Sequence, residues 1–397
     1  MNSPRFSCGH PPHAAFRALS FVGVIVLLQG LCRFEAAADV RAWAAPASGS
    51  WNVASNWSGG IAPSASDDVL ITNEGAFSVS FAAGDTFATL TIGGSQGLKS
   101  LAWLSGNLVG STLVATNGQL NLVGMGDKRL AGVITNHGQI TWASGAITNW
   151  PWCGDARIEN EADGLFDLQV DGAFSGWPGP FPCGTLAPAF NNAGTFQKSG
   201  GVGTASFATS FVFTNSGTVD VQLGSLNFLG SFFETPASKI TLWMEGTTSD
   251  SGYSRLLYQQ TPNFAGRLLV ARRNEFVPSP GDSFAVIGCP NLVGMFDAID
   301  GLDMGSGLRL EPHFTTTGLT LYAAMLPANS LPVLSIYAAP SSAMVMWPIE
   351  FTGWSLLSST NLTGAPWLPV SVAGTNNAIF PASDARRYYR LILTNTP

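Results

Sequence analysis

An irregular internal repeat is the feature that most restricts what this chain can fold into. Each copy has an apolar residue, an asparagine close by, a glycine and then alternating apolar positions. The copies occupy residues 116–120, 134–140, 158–166, 190–196 and 213–219. Steps of 20 to 50 residues are typical of stacked repeat architectures, and the repeat asparagines lie 19 to 32 residues apart. The pattern predicts coils of a β-solenoid, with asparagine and glycine in left-handed conformations at the corners; unrelated β-hairpins that share Asn-Gly turns are the alternative.

The rest of the chain also indicates strands and turns. Phe77, Val79 and Phe81 alternate with serines, which is the period of a half-buried strand. No segment after residue 38 keeps a helical period, and 45 glycines with 24 prolines supply many turns. The predicted fold class is therefore all-β: a short right-handed β-solenoid with β-rich caps, followed by a small β-sandwich.

The N-terminus has the features of an export signal. Arg5 and Arg17 precede an apolar stretch over residues 18–28, and three alanines at 36–38 provide small residues for a signal peptidase. Cleavage before Asp39 is the expected processing. An uncleaved membrane anchor is the alternative, although the apolar stretch is shorter than the roughly 20 residues that a spanning helix needs. We expect no transmembrane helix after cleavage, and a secreted or cell-surface location.

Export determines how the cysteines are interpreted. Cys8 and Cys32 leave with the signal, so Cys153, Cys183 and Cys289 remain in an oxidising compartment. Cys153 and Cys183 bound the longest step between repeats, and each is followed by glycine. The sequence predicts a disulfide between these two and a buried free thiol at Cys289.

The same long step contains the most distinctive aromatic residues. Trp150 and Trp152 precede Cys153, and Trp177 precedes the proline-rich approach to Cys183. Exposed indole faces bind sugar rings and proteins by apolar stacking. Trp150, Trp152 and Trp177 are therefore the predicted ligand-binding residues, with coverage of the solenoid edge as the alternative role.

Several segments resemble a known class of exported proteins. Trp51-Asn52, Asn56-Trp57 and the strand at residues 68–71 resemble the opening segment of secreted bacterial proteins with autotransporter-associated β-strand repeats. The Asn-Gly coils are similar to the body of those proteins, and residues 253–321 resemble the β-rich segment that often closes them. Residues 333–397 resemble a fibronectin-III-like terminal sandwich module. The resemblance implies a similar architecture and export from the cell. It implies no activity, because its motifs consist of residues that form turns.

These observations predict six segments. They are a signal peptide (1–38), an N-terminal β cap (39–95), the β-solenoid repeats (96–238), a closing β-rich segment (239–325), a linker (326–332) and a C-terminal β-sandwich-like module (333–397).

The sequence contains no recognisable catalytic motif. Only His137 and His313 follow the signal, so a three-histidine zinc site is impossible, and no HExxH motif occurs. Acidic groups are the remaining candidates for a metal or sugar site. These groups are Asp67/Asp68, Glu159/Glu161/Asp163, Asp167/Asp171 and Asp297/Asp300/Asp303. We predict no catalytic residue, no metal and no cofactor.

Charge and composition limit the classes of partner that the protein can bind. The formal net charge is −7 and the chain has only four lysines, which argues against a nucleic-acid partner because phosphate binding requires clustered basic residues. The predicted function is that of a non-catalytic exported or cell-surface protein for adhesion, envelope structure or matrix interaction, with extracellular polysaccharide or envelope components as partners. The alternative is a carbohydrate-active protein, either a polysaccharide-binding module or a lyase-like β-helix.

Overall fold

The computed structural model describes most of the chain after the predicted signal. The described residues are 38–44, 47–82, 84, 86–94, 96–149, 156–176, 187–325, 332–338, 342–347, 351, 353–372, 376–381 and 386–394. They are almost entirely strands and turns, apart from two short 3₁₀ turns at Ala54–Asn56 and Ser58–Gly60. The predicted all-β class is confirmed. Within these residues no helix is long and apolar enough to cross a membrane.

Most strands belong to a coiled region. In chain order its strands are β1 (Val40–Ala42), β2 (Gly49–Ser50), β3 (Asp68–Ile71), β4 (Phe77–Phe81), β5 (Thr86–Ile92), β6 (Lys99–Trp103), β7 (Gly106–Val114), β8 (Gly118–Leu122), β9 (Lys128–Ala131), β10 (Val133–Asn136), β11 (Gln139–Trp142), β12 (Ile147–Asn149), β13 (Arg157–Asn160), β14 (Leu165–Leu168), β15 (Ala173–Ser175), β16 (Ala189–Asn192), β17 (Thr195–Lys198), β18 (Thr204–Phe207), β19 (Val212–Asn215), β20 (Thr218–Val221), β21 (Ser225–Phe228), β22 (Ser231–Glu234), β23 (Lys239–Met244), β24 (Arg255–Tyr258), β25 (Asn263–Phe264), β26 (Arg267–Arg272), β27 (Ser283–Gly288), β28 (Val293–Gly294) and β29 (Ala298–Asp300).

These strands form three parallel ladders, which is the arrangement of a β-solenoid. The first ladder runs β1, β3, β5, β7, β10, β13, β16, β19, β22, β25 and β28; the second runs β2, β4, β6, β8, β11, β14, β17, β20, β23, β26 and β29. The third begins in the N-terminal halves of β5 and β7 and continues through β9, β12, β15, β18, β21, β24 and β27. Parallel pairing crosses the predicted segment boundaries at residues 95 and 238 without interruption.

The solenoid core follows directly from the alternation within each strand. Ile140, Phe196, Val219 and Val221 occupy alternate positions of their strands and are all at most 1% exposed. Aromatic rings stack from coil to coil inside the third ladder, in the series Phe174, Phe207, Phe228 and Tyr258. Each coil therefore buries its apolar face against its neighbours, as stacked repeats require.

The repeat asparagines have a role that differs from the predicted one. Asn136, Asn160, Asn192 and Asn215 end successive strands of the first ladder and are at most 1% exposed. The first three of them each donate the side-chain amide to the Oδ1 atom of the next asparagine in the series, at 2.7 to 2.8 Å. Among the repeat asparagines, the expected left-handed conformation occurs only at the first one in the chain, Asn117 (φ 69°).

The repeat glycines are required because the backbones of neighbouring coils approach each other closely, and not because the backbone is left-handed there. Gly194 and Gly217 do not have positive φ angles. A Cβ at Gly217 would lie 2.2 Å from the carbonyl oxygen of Gly194 one coil earlier, which no side chain tolerates. The prediction of left-handed corners at these positions was therefore wrong, and tight stacking of corner on corner is the physical reason for the glycines.

Three of the four lysines are buried at corners of the solenoid. Lys99, Lys128 and Lys198 have no exposed surface, and their ammonium groups bond to backbone carbonyl oxygens. The Lys128 ammonium lies 2.7 Å from the Gly124 oxygen, and burial lowers the pKa of Lys128. Lys198 also pairs with Asp171 at 2.8 Å. These cations satisfy carbonyl groups that point inward at a corner, as buried polar groups must be satisfied.

Both ends of the core are covered. At the N-terminal end Trp43, Trp51 and Trp57 are at most 1% exposed, and the Trp57 indole donates to the Trp51 carbonyl oxygen at 2.6 Å. The residues that resemble a family opening segment are thus the packed end of the solenoid. At the other end β27 pairs antiparallel with β32 of a closing sheet made of β30 (Asp303–Gly305), β31 (Leu308–Thr315) and β32 (Gly318–Met325).

The C-terminal part consists of two small antiparallel sheets. Their strands are β33 (Ser335–Ala338), β34 (Ser342–Met346), β35 (Trp354–Ser359), β36 (Leu368–Pro369), β37 (Asn377–Pro381) and β38 (Tyr388–Leu393). One sheet has the order β33-β34-β37 and the other β36-β35-β38. They share an apolar cluster that contains Val345, Trp347, Leu356 and Phe380.

Candidate functional site

The outer face of the second ladder carries two hydrogen-bonded groups of polar side chains, one around Asp167 and one around Asp220. We call the two groups together the polar strip. It comprises Asp167, Gln169, Gln197, Ser199, Asp220, Gln222, Trp243 and Arg273. Alternation within the strands places them outside: in β20, Val219 and Val221 point inward, so Asp220 between them points outward.

At one end of the strip, Asp167 is held by two neighbours. Ser199 Oγ donates to Asp167 Oδ1 at 2.5 Å, and Gln169 Nε2 donates to Asp167 Oδ2 at 2.7 Å. Asp167 is only 5% exposed although it lies on the outer face. These two donors fix the position of the carboxylate and stabilise its charge.

At the other end, Asp220 connects an aromatic ring to the strip. The Trp243 indole donates to Asp220 Oδ1 at 2.7 Å, and Gln222 Nε2 donates to Asp220 Oδ2 at 2.8 Å. Arg273 donates to Gln222 Oε1 at 2.6 Å, and its guanidinium carbon lies 4.5 Å from the centre of the Trp243 ring. The strip thus ends in an indole and a guanidinium whose orientations are both fixed.

The residues predicted to bind ligand lie outside the described part of the chain. These are Trp150, Trp152 and Trp177, and the same holds for the predicted disulfide partners Cys153 and Cys183. The structure does show where their segments start. β12 ends at Asn149 and β15 ends at Ser175, and these two strands are parallel neighbours in the third ladder.

Cys289 has the environment predicted for it. It is 8% exposed and forms no disulfide, and burial raises the pKa of its thiol. No disulfide occurs within the described residues.

The acidic groups between residues 159 and 171 do not form one site. Glu159 accepts from Asn191 at 2.9 Å on the first ladder, and Asp163 accepts a 2.8 Å bond from exposed His137 at a corner. That hydrogen bond lowers the pKa of Asp163. Asp171 pairs with Lys198 at another corner, and only Asp167 belongs to the strip.

The acidic residues near the end of the solenoid also have separate partners. Asp297 accepts from the Gly266 amide at 3.2 Å, Asp300 pairs with Arg267 at 2.6 Å, and Asp303 accepts from the Gly305 amide. Within the described residues no group of three potential metal ligands comes together.

Sequence reasoning named only one member of the strip, Asp167. Gln197 and Asp220 occupy equivalent outward positions of successive coils, and Gln222 follows Asp220 by two residues and bonds back to Gln197. Aligning the strands that follow each repeat glycine would have brought Asp167, Gln197 and Asp220 into one column.

Comparison with known proteins assigns neither a family nor a function to this chain. No protein-family model matches the chain, and no curated protein matches it.

Proposed function

We propose that this chain is a non-catalytic exported or cell-surface protein that binds an extracellular polysaccharide, for adhesion or attachment to a matrix. The polar strip is the observation that carries the proposal. Basic residues, an apolar stretch and three alanines before Asp39 support export.

The strip has the chemistry of a surface for hydroxylated polymers. Its amides and carboxylates supply donors and acceptors on successive coils, which lie roughly 4.8 Å apart. The internal hydrogen bonds hold these groups in place before a ligand arrives, so little conformational entropy is lost on binding. Because the strip contains two carboxylates and the chain has a net charge of −7, a neutral polysaccharide suits it better than an anionic one.

One observation favours a carbohydrate-active enzyme as the second candidate. Asp167 and Asp220 occupy the same column two coils apart, through Gln197. Their backbones are therefore separated by about 9.5 Å, twice the strand spacing, and inverting glycosidases place their two carboxyl groups about 6.5 to 9.5 Å apart.

Binding and turnover can be measured on the same samples. Affinity electrophoresis in gels containing cellulose derivatives, xylan, alginate or carrageenan should show retardation by a neutral polymer. Trp243→Ala and Gln222→Ala should weaken that retardation at least tenfold, because they remove the ring and the amide that link the strip. Thr214→Val, on the outer face of the first ladder, is the matched control and should bind normally.

Two results would reject the proposal. One is equal binding by wild type and both strip variants. The other is release of reducing ends from any of these polymers, lost in Asp220→Asn, which would establish the enzyme.

Export has its own test. Protein recovered from the medium should begin within a few residues of Asp39, as read by N-terminal sequencing. An intact Met1 would contradict the cleaved signal.

A further inference from the structure

A pocket lies where the last coils meet the C-terminal sheets. The pocket has a volume of about 620 Å³, within the range of roughly 300 to 1,000 Å³ that is usual for small-molecule sites. Its lining includes Arg267, Asp297, Ser342, Met295 and Ala378. None of these belongs to the polar strip.

Two polar attachments hold the pocket walls together. The Asn377 side-chain amide donates to the Ile299 carbonyl oxygen at 2.8 Å, and this bond is buried. Arg309 of the closing sheet donates to Ser335 Oγ at 2.7 Å and to the Tyr337 hydroxyl at 3.2 Å. The wall formed by β34 and β37 is therefore fixed against β29, and the pocket is formed in advance of any ligand.

The charged groups of the pocket leave an excess of negative charge. Arg267 is neutralised by Asp300 at 2.6 Å. Asp297 is exposed, and its Oδ2 accepts from the Gly266 amide at 3.2 Å. Within the described part of the chain, no hydrogen bond involves its Oδ1.

The remaining lining suits a ligand with both hydroxyl groups and an apolar face. Ser342 Oγ donates to the Met295 sulfur at 3.2 Å, so its oxygen lone pairs are available to accept. Ser371 adds a second hydroxyl, and Pro236, Ala378 and Ile379 add apolar surface. Anionic sugars are disfavoured, because they would place a carboxylate or sulfate next to Asp297.

We propose that this pocket binds an amine-bearing sugar unit, with the ammonium group against the Asp297 carboxylate and the ring over the apolar wall. This site is separate from the polar strip, so the inference does not depend on the function proposed above. Asp297 is the residue that selects the cation, and Arg267 and Ser342 contact the ring hydroxyls.

The test compares three trisaccharides that differ mainly in charge. Isothermal titration at about pH 6 would use the glucosamine trimer, its fully N-acetylated form and trigalacturonate, with putrescine as an amine that lacks a ring. The glucosamine trimer should bind at least tenfold more tightly than each of the other three. Asp297→Asn should lose at least tenfold in affinity for that trimer, whereas Thr214→Val, on the outer face of the first ladder, should bind it normally.

Each contrary outcome rejects a stated part of the proposal. Equal binding of the N-acetylated trimer would remove the role of the amine, and equal binding of putrescine would remove the role of the ring. No binding of the glucosamine trimer, or unchanged binding by a folded Asp297→Asn variant, would overturn the site itself. The strip proposal would survive any of these results, since its variants are assayed on neutral polymers.

Discussion

Replacing Glu234 by glutamine tests the electrostatics at the end of the asparagine series. Asn215 donates its amide towards Glu234 Oε1 at 3.5 Å, and Ser238 Oγ donates to the same oxygen at 3.1 Å. The carboxyl group is largely enclosed, and this burial raises its pKa to about 7, with repulsion from Asp297 acting in the same direction. The folded protein therefore retains the Glu234 proton in a pH range where the unfolded chain releases it.

The sign of the pH dependence follows from that difference. The pKa of Glu234 is raised from 4.5 to about 7, so its stabilising contribution is fully present below pH 4.5 and is lost as the pH rises through 7. Between pH 5 and pH 8 the loss amounts to about 2.5 kcal/mol. Glutamine does not titrate, and its carbonyl oxygen still accepts from Asn215 and Ser238. The free energy of unfolding of Glu234→Gln, taken relative to that of wild type, should therefore rise by about 2.5 kcal/mol from pH 5 to pH 8.

The measurement is urea unfolding of both proteins, followed by circular dichroism, at intervals from pH 5 to pH 8. The difference between the two free energies of unfolding should change with pH in favour of the glutamine variant. Asp303→Asn provides a control for the removal of one exposed carboxylate elsewhere in the protein. Parallel stability curves for wild type and Glu234→Gln would refute the reasoning.

Three further predictions follow from the buried polar groups and the cysteines. Asn192→Ala should cost about 2 to 4 kcal/mol, because it removes one acceptor of the Asn160 amide and the donor to Asn215 Oδ1 and to the Thr218 carbonyl oxygen. Asn191→Ala on the outer face should cost less than about 1 kcal/mol, and urea unfolding distinguishes the two variants. Amine-reactive labelling of the folded protein should modify only Lys239 and the terminal amine, and peptide mapping that finds another labelled lysine would contradict the buried corners. Mass mapping without reduction should join Cys153 to Cys183, a bond worth roughly 3 kcal/mol, and a bridge to any other cysteine would exclude it.

The fold class could be predicted because alternation and repeat spacing are local properties. Phe196 and Val219 follow their repeat glycines by two residues, and both are buried one above the other. The long step between Asn160 and Asn192 predicted extra chain between coils, and the register keeps these two asparagines paired despite it. Spacing therefore indicated which residues stack, even where the coils differ in length.

The roles of the polar residues could not be predicted in the same way. Asn136 and Asn117 look alike in sequence, yet one bonds to the next coil through its side chain and the other adopts a left-handed turn. Lys128 lies in a polar segment that suggests exposure, and its burial depends on carbonyl groups of Gly124 and Ser144 that only the folded corner brings together. Such contacts depend on stacking register, which a single strand does not encode.

The division between inside and outside explains why architecture is easier to infer here than function. In β14, Phe166 and Leu168 must fit between the coils above and below, so an apolar residue is required at each. Asp167 between them meets no such requirement from stacking, and the same is true of Asp220 in β20. A carboxylate or amide at these outward positions adds little to the core and must be desolvated or hydrogen-bonded at some cost. Asp167 and Asp220 nevertheless occupy one outward column, and each is held by its own hydrogen-bond donors. Ligand binding is the role that we propose for this column, and the outer columns of the second ladder are therefore where variants should be made first.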